Sequence, residues 1–123
     1  MGIFRFFVCL FLLLLSAASF ASDTDNDGLD PLVANYLMAV GSKHACASDT
    51  NTIDCWGNNE YGQLAVPEIN QVTELAAGSN FTCAIHNNSV SCWGDNSQNQ
   101  LQPPVLNNPR NLSLGSEHAC VLD

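Results

Sequence analysis

The chain repeats itself at an interval of 37 residues, and no other feature of the sequence constrains its fold as strongly. The repetition is carried by cysteine, glycine and tryptophan. The matched positions are Gly41, Gly78 and Gly115; Cys46, Cys83 and Cys120; Trp56-Gly57 and Trp93-Gly94; Asn59 and Asn96; Gln63-Leu64 and Gln100-Leu101; and Pro67 and Pro104. Periods of about 20 to 50 residues are typical of solenoids, propellers and arrays, because one unit cannot bury its apolar face alone. We therefore expect the copies to stack against one another.

The first 21 residues have the composition of a secretory signal peptide. Arg5 supplies a positive charge, residues 6–15 are apolar, and Ser19-Phe20-Ala21 offers small residues at the two positions that a signal peptidase reads. We expect cleavage after Ala21, with an uncleaved anchor as the alternative. The sequence thus predicts a secreted protein, extracellular or periplasmic, with no stable membrane span after cleavage.

The composition of the remaining residues indicates an acidic all-β protein. Twelve Asp and Glu face three Lys and Arg, giving a net charge of −9. Because no basic stripe is present, the chain should repel phosphate backbones, and nucleic acid is not an expected partner. No helical periodicity of ten residues or more follows the signal. We expect an acidic N-terminal linker at 22–36 and repeats at 37–123, incomplete at the C-terminus, with about three to four strands per copy.

The cysteine spacing predicts two disulfide-bridged hairpins. Residues 81–86 alternate, Asn87-Asn88 suits a two-residue turn, and residues 89–93 return along the first strand. In this register the two cysteines of the copy face each other, within the Cα separation that a disulfide requires. The same count in the first copy centres on Thr50-Asn51. The predicted bridges are Cys46–Cys55 and Cys83–Cys92, each contributing about 2 to 3 kcal/mol.

A metal site is the alternative interpretation of these cysteines. His44 and His118 stand two residues before a cysteine, but the middle copy has Phe81 there, and the Cys-x8-Cys spacing is not one that zinc sites use. The disulfide interpretation is therefore preferred. Cys120 stays unpaired, because the sequence ends before the cysteine that would follow nine residues later. Either the gene is a fragment or this thiol pairs between molecules.

One acidic motif precedes the repeats and has the pattern of a calcium site. Its carboxylates alternate and a glycine occupies the sixth position, as in EF-hand loops and in the repeats of thrombospondin type 3. However, the twelfth position holds Ala34 where a bidentate glutamate is expected. A solvated linker without an ion is the alternative. The candidate calcium ligands are Asp23, Asp25, Asp27 and Asp30.

Catalysis is not expected, because the sequence carries no nucleophile elbow, His-Glu-x-x-His helix or phosphate-binding loop. No cofactor other than calcium is predicted. Trp56 and Trp93 each follow a bridged cysteine directly and precede a glycine, which favours packing between repeats over exposed recognition.

The order of the motifs resembles a known repeat family. Gly-Ser-x-x-x-Cys-Ala, then Cys-Trp-Gly-x-Asn, then Gln-Leu and Pro, is similar to the repeat of the regulator of chromosome condensation superfamily. The 37-residue length and the phrase Trp-Gly-Asp-Asn at 93–96 resemble its short-repeat branch, which includes beta-lactamase inhibitor protein II. The bridged cysteines resemble the ectodomains of some plant receptor kinases. The resemblance implies a partial β-propeller, here two repeats and a truncated third, whose loops bind partner proteins.

We therefore predict a secreted protein-binding scaffold with an unidentified protein partner. An accessory propeller domain of a larger secreted enzyme is one alternative, and a calcium-dependent surface or adhesion module is another. The loop residues Glu60-Tyr61 and Ser97-Gln98 differ between copies, as a binding face would, although unconstrained loops differ too.

Overall fold

A computed structural model of the chain describes residues 36–49 and 51–123. The predicted signal peptide and the candidate calcium ligands Asp23, Asp25, Asp27 and Asp30 lie outside the described residues. Within the described part, no helix is present that is long and apolar enough to cross a membrane.

The described residues form eight strands in three antiparallel sheets, one sheet per repeat. The expectation of an all-β fold is confirmed, with three strands in each of the first two copies. The first sheet contains β1 (Leu37–Val40), β2 (His44–Ser48) and β3 (Ile53–Gly57). The second contains β4 (Val72–Ala77), β5 (Phe81–His86) and β6 (Ser89–Gly94), and the third contains β7 (Arg110–Leu114) and β8 (Ala119–Leu122).

The second hairpin has the register that the sequence predicts. In β5 and β6, His86 faces Ser89 and Cys83 faces Cys92. The turn residues Asn87 and Asn88 have φ angles of 46° and 59°. Two successive left-handed residues form the primed turn whose twist matches that of the flanking strands, and asparagine tolerates this conformation better than most side chains.

The first hairpin keeps the cysteine register but closes with a longer loop. Cys46 faces Cys55, and the strands end at Ser48 and Ile53. The loop is held by Asp49, whose Oδ1 accepts hydrogen bonds from the N–H groups of Asn51 and Thr52, both at 2.7 Å. These backbone donors, Asn51 first, lower the pKa of Asp49.

The core lies between sheets, as expected for units that cannot bury an apolar face alone. Its buried residues come from the first and second sheets, and half-buried side chains from both sheets and from the connection between them surround these residues. The buried members are Cys46, Val72, Ala84 and Trp93; Leu37, Ile53, Cys55, Val66, Ile69 and Leu75 pack against them. Consecutive repeats therefore stabilise each other mainly through this apolar contact.

Glycines let the backbones of consecutive repeats approach closely. The N–H of Ser42 donates to the carbonyl of Ser79 at 3.1 Å, and the N–H of Ser79 donates to Ser116 at 3.2 Å. A Cβ on Gly41 would lie 2.6 Å from the carbonyl oxygen of Gly78, and one on Gly78 would lie 2.6 Å from that of Gly115. Real Cβ atoms do not come this close. At Gly41, Gly78 and Gly115 a Cβ would also clash with the ring three residues later in the same repeat. The repeated glycine therefore makes room for that ring and, at the first two positions, for the next repeat.

Candidate protein-interaction site

One loop follows the last strand of each complete repeat, and the two loops have similar conformations. We call residues 57–65 and 94–102 the Asn-rich loops. Both begin at a glycine with positive φ, 112° at Gly57 and 109° at Gly94. A backbone hydrogen bond fixes the next residue of each loop. The N–H of Asn58 donates to the carbonyl oxygen of Lys43 at 2.8 Å, and the N–H of Asp95 donates to that of Asn80 at 2.9 Å. Both loops thus leave their sheet in the same direction.

Side chains hold the inside of the first Asn-rich loop. Asn59 Oδ1 accepts the N–H of Leu64 at 2.9 Å, and Gln63 Oε1 accepts the N–H of Tyr61 at 2.8 Å. Gln63 is fully buried, and its Nε2 donates to Asn58 Oδ1 at 3.2 Å. The amides therefore replace the backbone ladder that the loop lacks.

The second Asn-rich loop repeats two of these three bonds; the third has no counterpart, because Gln100 Nε2 has no hydrogen-bond partner among the described residues. Asn96 Oδ1 accepts the N–H of Leu101 at 3.0 Å, and Gln100 Oε1 accepts the N–H of Gln98 at 2.7 Å. Asn99 takes the left-handed conformation (φ 59°) that Gly62 takes in the first loop (φ 80°). Because one frame is built twice from matched positions, the shape of these loops is specified by the sequence.

The tips of the two loops differ although their frames agree. Glu60 and Tyr61 are exposed at the first tip, with 48% of the Tyr61 surface accessible. Ser97 and Gln98 are exposed at the corresponding place in the second. The Ser97 N–H donates to Asp95 Oδ1 at 2.9 Å, so this tip is fixed too. Fixed backbones that carry different exposed side chains are suited to recognition, because little conformational entropy is lost on binding.

The first Asn-rich loop is also hydrogen-bonded to the next repeat. Trp93, only 5% exposed, donates from its indole Nε1 to the carbonyl of Gln63 at 3.0 Å. The prediction that tryptophan packs between repeats is confirmed for Trp93. Trp56, one repeat earlier, is half-buried.

Polar contacts join consecutive repeats behind the loops. His44 Nε2 lies 2.8 Å from the hydroxyl of Thr82, and both side chains are buried. Burial lowers the pKa of His44, so the ring stays neutral at pH 7. Its Nδ1 has no hydrogen-bond partner among the described residues. The sequence allows His44 to be a metal ligand or to pack beside the Cys46 disulfide, but it does not predict this contact, because nothing in the 37-residue pattern indicates which repeat a side chain faces.

A carboxylate joins the second and third sheets. Glu74 in β4 accepts the N–H of Asn111 through Oε1 at 2.8 Å and the N–H of Leu112 through Oε2 at 2.7 Å. This contact was also missed. The corresponding residue of the first repeat is Leu37, so Glu74 does not belong to the repeated motif.

The cysteines support the fold and lie outside the Asn-rich loops. The structure joins Cys46 to Cys55 and Cys83 to Cys92, while Cys120 is free and exposed on β8. With Cys46 in a disulfide, the His-x-Cys pair at 44–46 has no thiolate for a metal. In the described part of the chain, no group of three or more His, Cys, Asp or Glu side chains could hold a metal ion.

Comparisons with known proteins agree with this architecture. Residues 37–63 and 72–100, which contain both complete sheets, match the sequence model of the Regulator of chromosome condensation (RCC1) repeat. A search of curated proteins finds no match. The structure is similar to the CRINKLY WD40 ectodomain of the Arabidopsis thaliana receptor kinase ACR4, with 26% identity and a TM-score of 0.51 over 69% of this chain and 32% of that one. This similarity supports a partial propeller.

A second solved structure is similar over a shorter span. The C-terminal domain of gp131 from bacteriophage phiKZ is 32% identical, with a TM-score of 0.45, over 50% of this chain and 18% of that one. The chain therefore spans less than a third of the length of each of these two structures.

Proposed function

Because the chain carries repeats of the regulator of chromosome condensation superfamily and forms part of a β-propeller, we propose that it is a secreted protein-binding scaffold. Its partner would contact the tips of the Asn-rich loops. The observation that carries the proposal is that two matched hydrogen-bond frames hold different exposed side chains, Glu60 and Tyr61 in one loop and Ser97 and Gln98 in the other. The similarity to the WD40 ectodomain of a receptor kinase supports a role in protein interaction.

Tyr61 is the residue expected to contribute most to binding. It is the only large aromatic side chain in the two Asn-rich loops, and tyrosine combines apolar area with a polar hydroxyl at low entropic cost. Its backbone N–H is already bonded to Gln63, so the side chain is displayed from a fixed position. The net charge of −9 favours a neutral or basic partner surface.

Secretion is supported by the two disulfides. Disulfides persist in oxidising compartments and are rare in the cytosol. The signal peptide and the absence of catalysis stay predictions from the sequence. Among the described residues, none favours the enzyme-accessory or the calcium-dependent alternative.

Site-specific photo-crosslinking tests the proposed binding surface. A photoreactive phenylalanine is placed at Tyr61 or, as the matched control, at Val105, which is 99% exposed and lies outside the Asn-rich loops. Both proteins are irradiated in extracellular fluid of the source organism, and products that form only from position 61 are identified by mass spectrometry.

Direct binding then decides the role of the loop. With the identified partner purified, we expect Tyr61→Ala to weaken binding by at least about thirtyfold, the usual effect of a central aromatic contact. Val105→Ala should leave the affinity unchanged. Equal crosslinking from both positions, or unchanged affinity of Tyr61→Ala, would show that the loops are not the binding surface.

A further inference from the structure

We propose that Trp93, in the second repeat, is a positioning residue for the tip of the first Asn-rich loop, Glu60-Tyr61. The inference rests on the proposed binding role of this loop and adds to it. Two consecutive repeats build the recognition surface together, because the second repeat holds the tip that the first one presents. A partner that binds this tip should in return stabilise the contact between the two repeats.

Both backbone N–H groups of the tip depend on one side chain, that of Gln63. The N–H of Tyr61 donates to Gln63 Oε1 at 2.8 Å. The N–H of Glu60 donates to Asn58 Oδ1 at 3.0 Å, and the same oxygen accepts a hydrogen bond from Gln63 Nε2 at 3.2 Å. Gln63 therefore fixes Tyr61 directly and Glu60 through Asn58. Because Gln63 is fully buried, water does not compete for its hydrogen bonds.

Trp93 in turn fixes the backbone of Gln63. Its indole Nε1 donates to the carbonyl oxygen of Gln63 at 3.0 Å, and both side chains are buried. Of the hydrogen bonds that residues 58–65 make within the described part of the chain, this is the one that reaches the second repeat. An indole nitrogen is a hydrogen-bond donor and never an acceptor, so this single N–H group carries the connection.

The contact between the repeats holds Trp93 itself in place. Trp93 stands opposite Thr82 in the ladder of the second sheet and packs in the core with Cys46 of the first sheet. Thr82 lies 2.8 Å from His44, which also belongs to the first sheet. A buried ring on a packed strand is a rigid support, whereas the loop has no ladder of its own. The indole can therefore transmit the packing of the repeats to the loop.

The second Asn-rich loop holds its tip differently. The N–H of Gln98 donates to Gln100 Oε1 at 2.7 Å, but the N–H of Ser97 donates to Asp95 Oδ1 at 2.9 Å. Gln100 Nε2 makes no hydrogen bond to any described residue, so it does not support Asp95. Two independent bonds hold this tip, whereas the first tip is held through Gln63 alone. The two loops therefore form a matched pair for experiment.

Removal of the indole donor tests the proposal. Trp93→benzothienylalanine keeps the shape of the side chain and has sulfur in place of the N–H group. We expect the backbone amides of Glu60-Tyr61 to exchange hydrogen about fivefold faster, the effect of losing one net hydrogen bond. NMR measures this exchange residue by residue, and the amides of Ser97-Gln98 should keep their rates. Trp56→benzothienylalanine, the same change one repeat earlier, is the matched control and should leave the tip unchanged.

The pattern of exchange separates positioning from a general loss of stability. A variant that is merely less stable should exchange faster in both Asn-rich loops and throughout β4, β5 and β6. Trp93→5-fluorotryptophan keeps the donor and should keep the protection of the tip. Unchanged exchange at Glu60-Tyr61 without the donor, or an equal rise at Ser97-Gln98, would overturn the proposal.

A substitution of Gln63 tests the chain of hydrogen bonds without changing Trp93. Gln63→Met keeps the length of the side chain and removes both of its amide bonds, so exchange should rise at Glu60 as well as at Tyr61. The NMR signal of the Trp93 indole N–H should persist, because its acceptor is a backbone oxygen. Faster exchange at Tyr61 without a change at Glu60 would show that Gln63 does not fix the whole tip.

Gln100→Met is the matched variant in the second loop. It should raise exchange at Gln98 and leave Ser97 unchanged, because Asp95 holds Ser97 without help from Gln100. A rise at Ser97 as large as that at Glu60 in the first loop would contradict the difference between the two tips, and with it the role assigned to Gln63.

Binding of the partner shows whether this positioning serves recognition. With the partner identified by crosslinking, Trp93→benzothienylalanine should weaken binding about fivefold, and the same change at Trp56 should not. The bound partner should also slow hydrogen exchange of the Trp93 indole N–H. Unchanged affinity would overturn the role of Trp93 in recognition. The exchange measurements need no partner, so a failure of positioning is distinguishable from a failure of the loops to bind.

Discussion

His44 is a buried histidine whose partner lies in the next repeat. Its Nε2 is 2.8 Å from Thr82, and its pKa is lowered from the ordinary 6.5 by burial. One repeat later, the equivalent positions are Phe81 and Ala119, an apolar pair. The same interface position is therefore occupied by a polar pair between the first two repeats and by an apolar pair between the second and third, so the effect of the polar pair on stability can be tested by substituting the apolar one.

The buried His44 predicts a loss of stability in acid. Because folding lowers the pKa of His44, the unfolded chain binds more protons than the folded chain once the pH falls below about 6.5. The free energy of unfolding then decreases until the pH falls below the pKa of His44 in the folded state. Above 6.5 this penalty is absent. His86 shifts in the same direction, also by burial, and adds to the effect. The double variant His44→Phe/Thr82→Ala should retain only the pH dependence that His86 contributes. Urea unfolding at pH 5.0 and 7.5 measures the difference; an unchanged dependence would contradict the assignment.

Glu74 is the second residue whose role depends on the neighbouring repeat. Glu74→Gln keeps the size of the side chain but leaves one acceptor oxygen for two backbone donors and points an amide N–H at the other donor. We expect a loss of about 1 to 2 kcal/mol in the free energy of unfolding. The exposed Glu117→Gln is the matched control and should change it by less than about 0.5 kcal/mol. Equal effects in urea unfolding would count against this role.

At the level of elements, the hairpin between β5 and β6 depends on its turn. Asn88 has a φ of 59°, a conformation that glycine adopts freely and that alanine does not. Asn88→Gly should leave stability nearly unchanged, whereas Asn88→Ala should cost about 1 kcal/mol. Thermal melting of both variants checks the prediction. If Asn88→Ala is as stable as Asn88→Gly, the turn is not of the primed type.

The hairpins were the part of the fold most accessible from sequence, and the reason is local. Cys83, Asn87-Asn88 and Cys92 lie within ten residues, so a two-residue turn determines which residues face each other. The first hairpin shows the limit. Its cysteine register was predicted, but Asp49 closes a longer loop through hydrogen bonds that the spacing does not reveal.

The candidate site was less predictable than the hairpins. The difference between Glu60-Tyr61 and Ser97-Gln98 was visible in the sequence, but the shared frame behind these tips was not. That frame consists of side-chain bonds from Asn59, Gln63 and their equivalents, and their geometry exists only once the loop has folded. The contacts of His44 and Glu74 required knowing which faces of consecutive repeats meet.

At the scale of the whole molecule, stability depends on how closely repeats stack, and Gly78 tests this. A Cβ there would clash with the buried Phe81 ring of the same repeat and would lie 2.6 Å from the carbonyl oxygen of Gly115. The second contact cannot be relieved without moving the third sheet. Gly78→Ala should therefore cost about 1 to 3 kcal/mol or more, the range for overpacking. Gly62→Ala is the matched control: its φ is 80°, but nothing lies within 4 Å of the added Cβ, so only conformational strain of about 1 kcal/mol is expected.

Hydrogen exchange distinguishes the steric clash of Gly78→Ala from the backbone strain of Gly62→Ala, because the two substitutions destabilise different parts of the structure. Gly78→Ala should raise exchange at the Ser79 amide, which bonds the carbonyl of Ser116, and throughout β7 and β8. The first hairpin, held by Cys46–Cys55, should keep its protection. Gly62→Ala should affect only the first Asn-rich loop. If Gly78→Ala left β7 and β8 as protected as in the unmodified protein, close backbone approach would not couple the repeats, and their association would depend on side-chain packing alone.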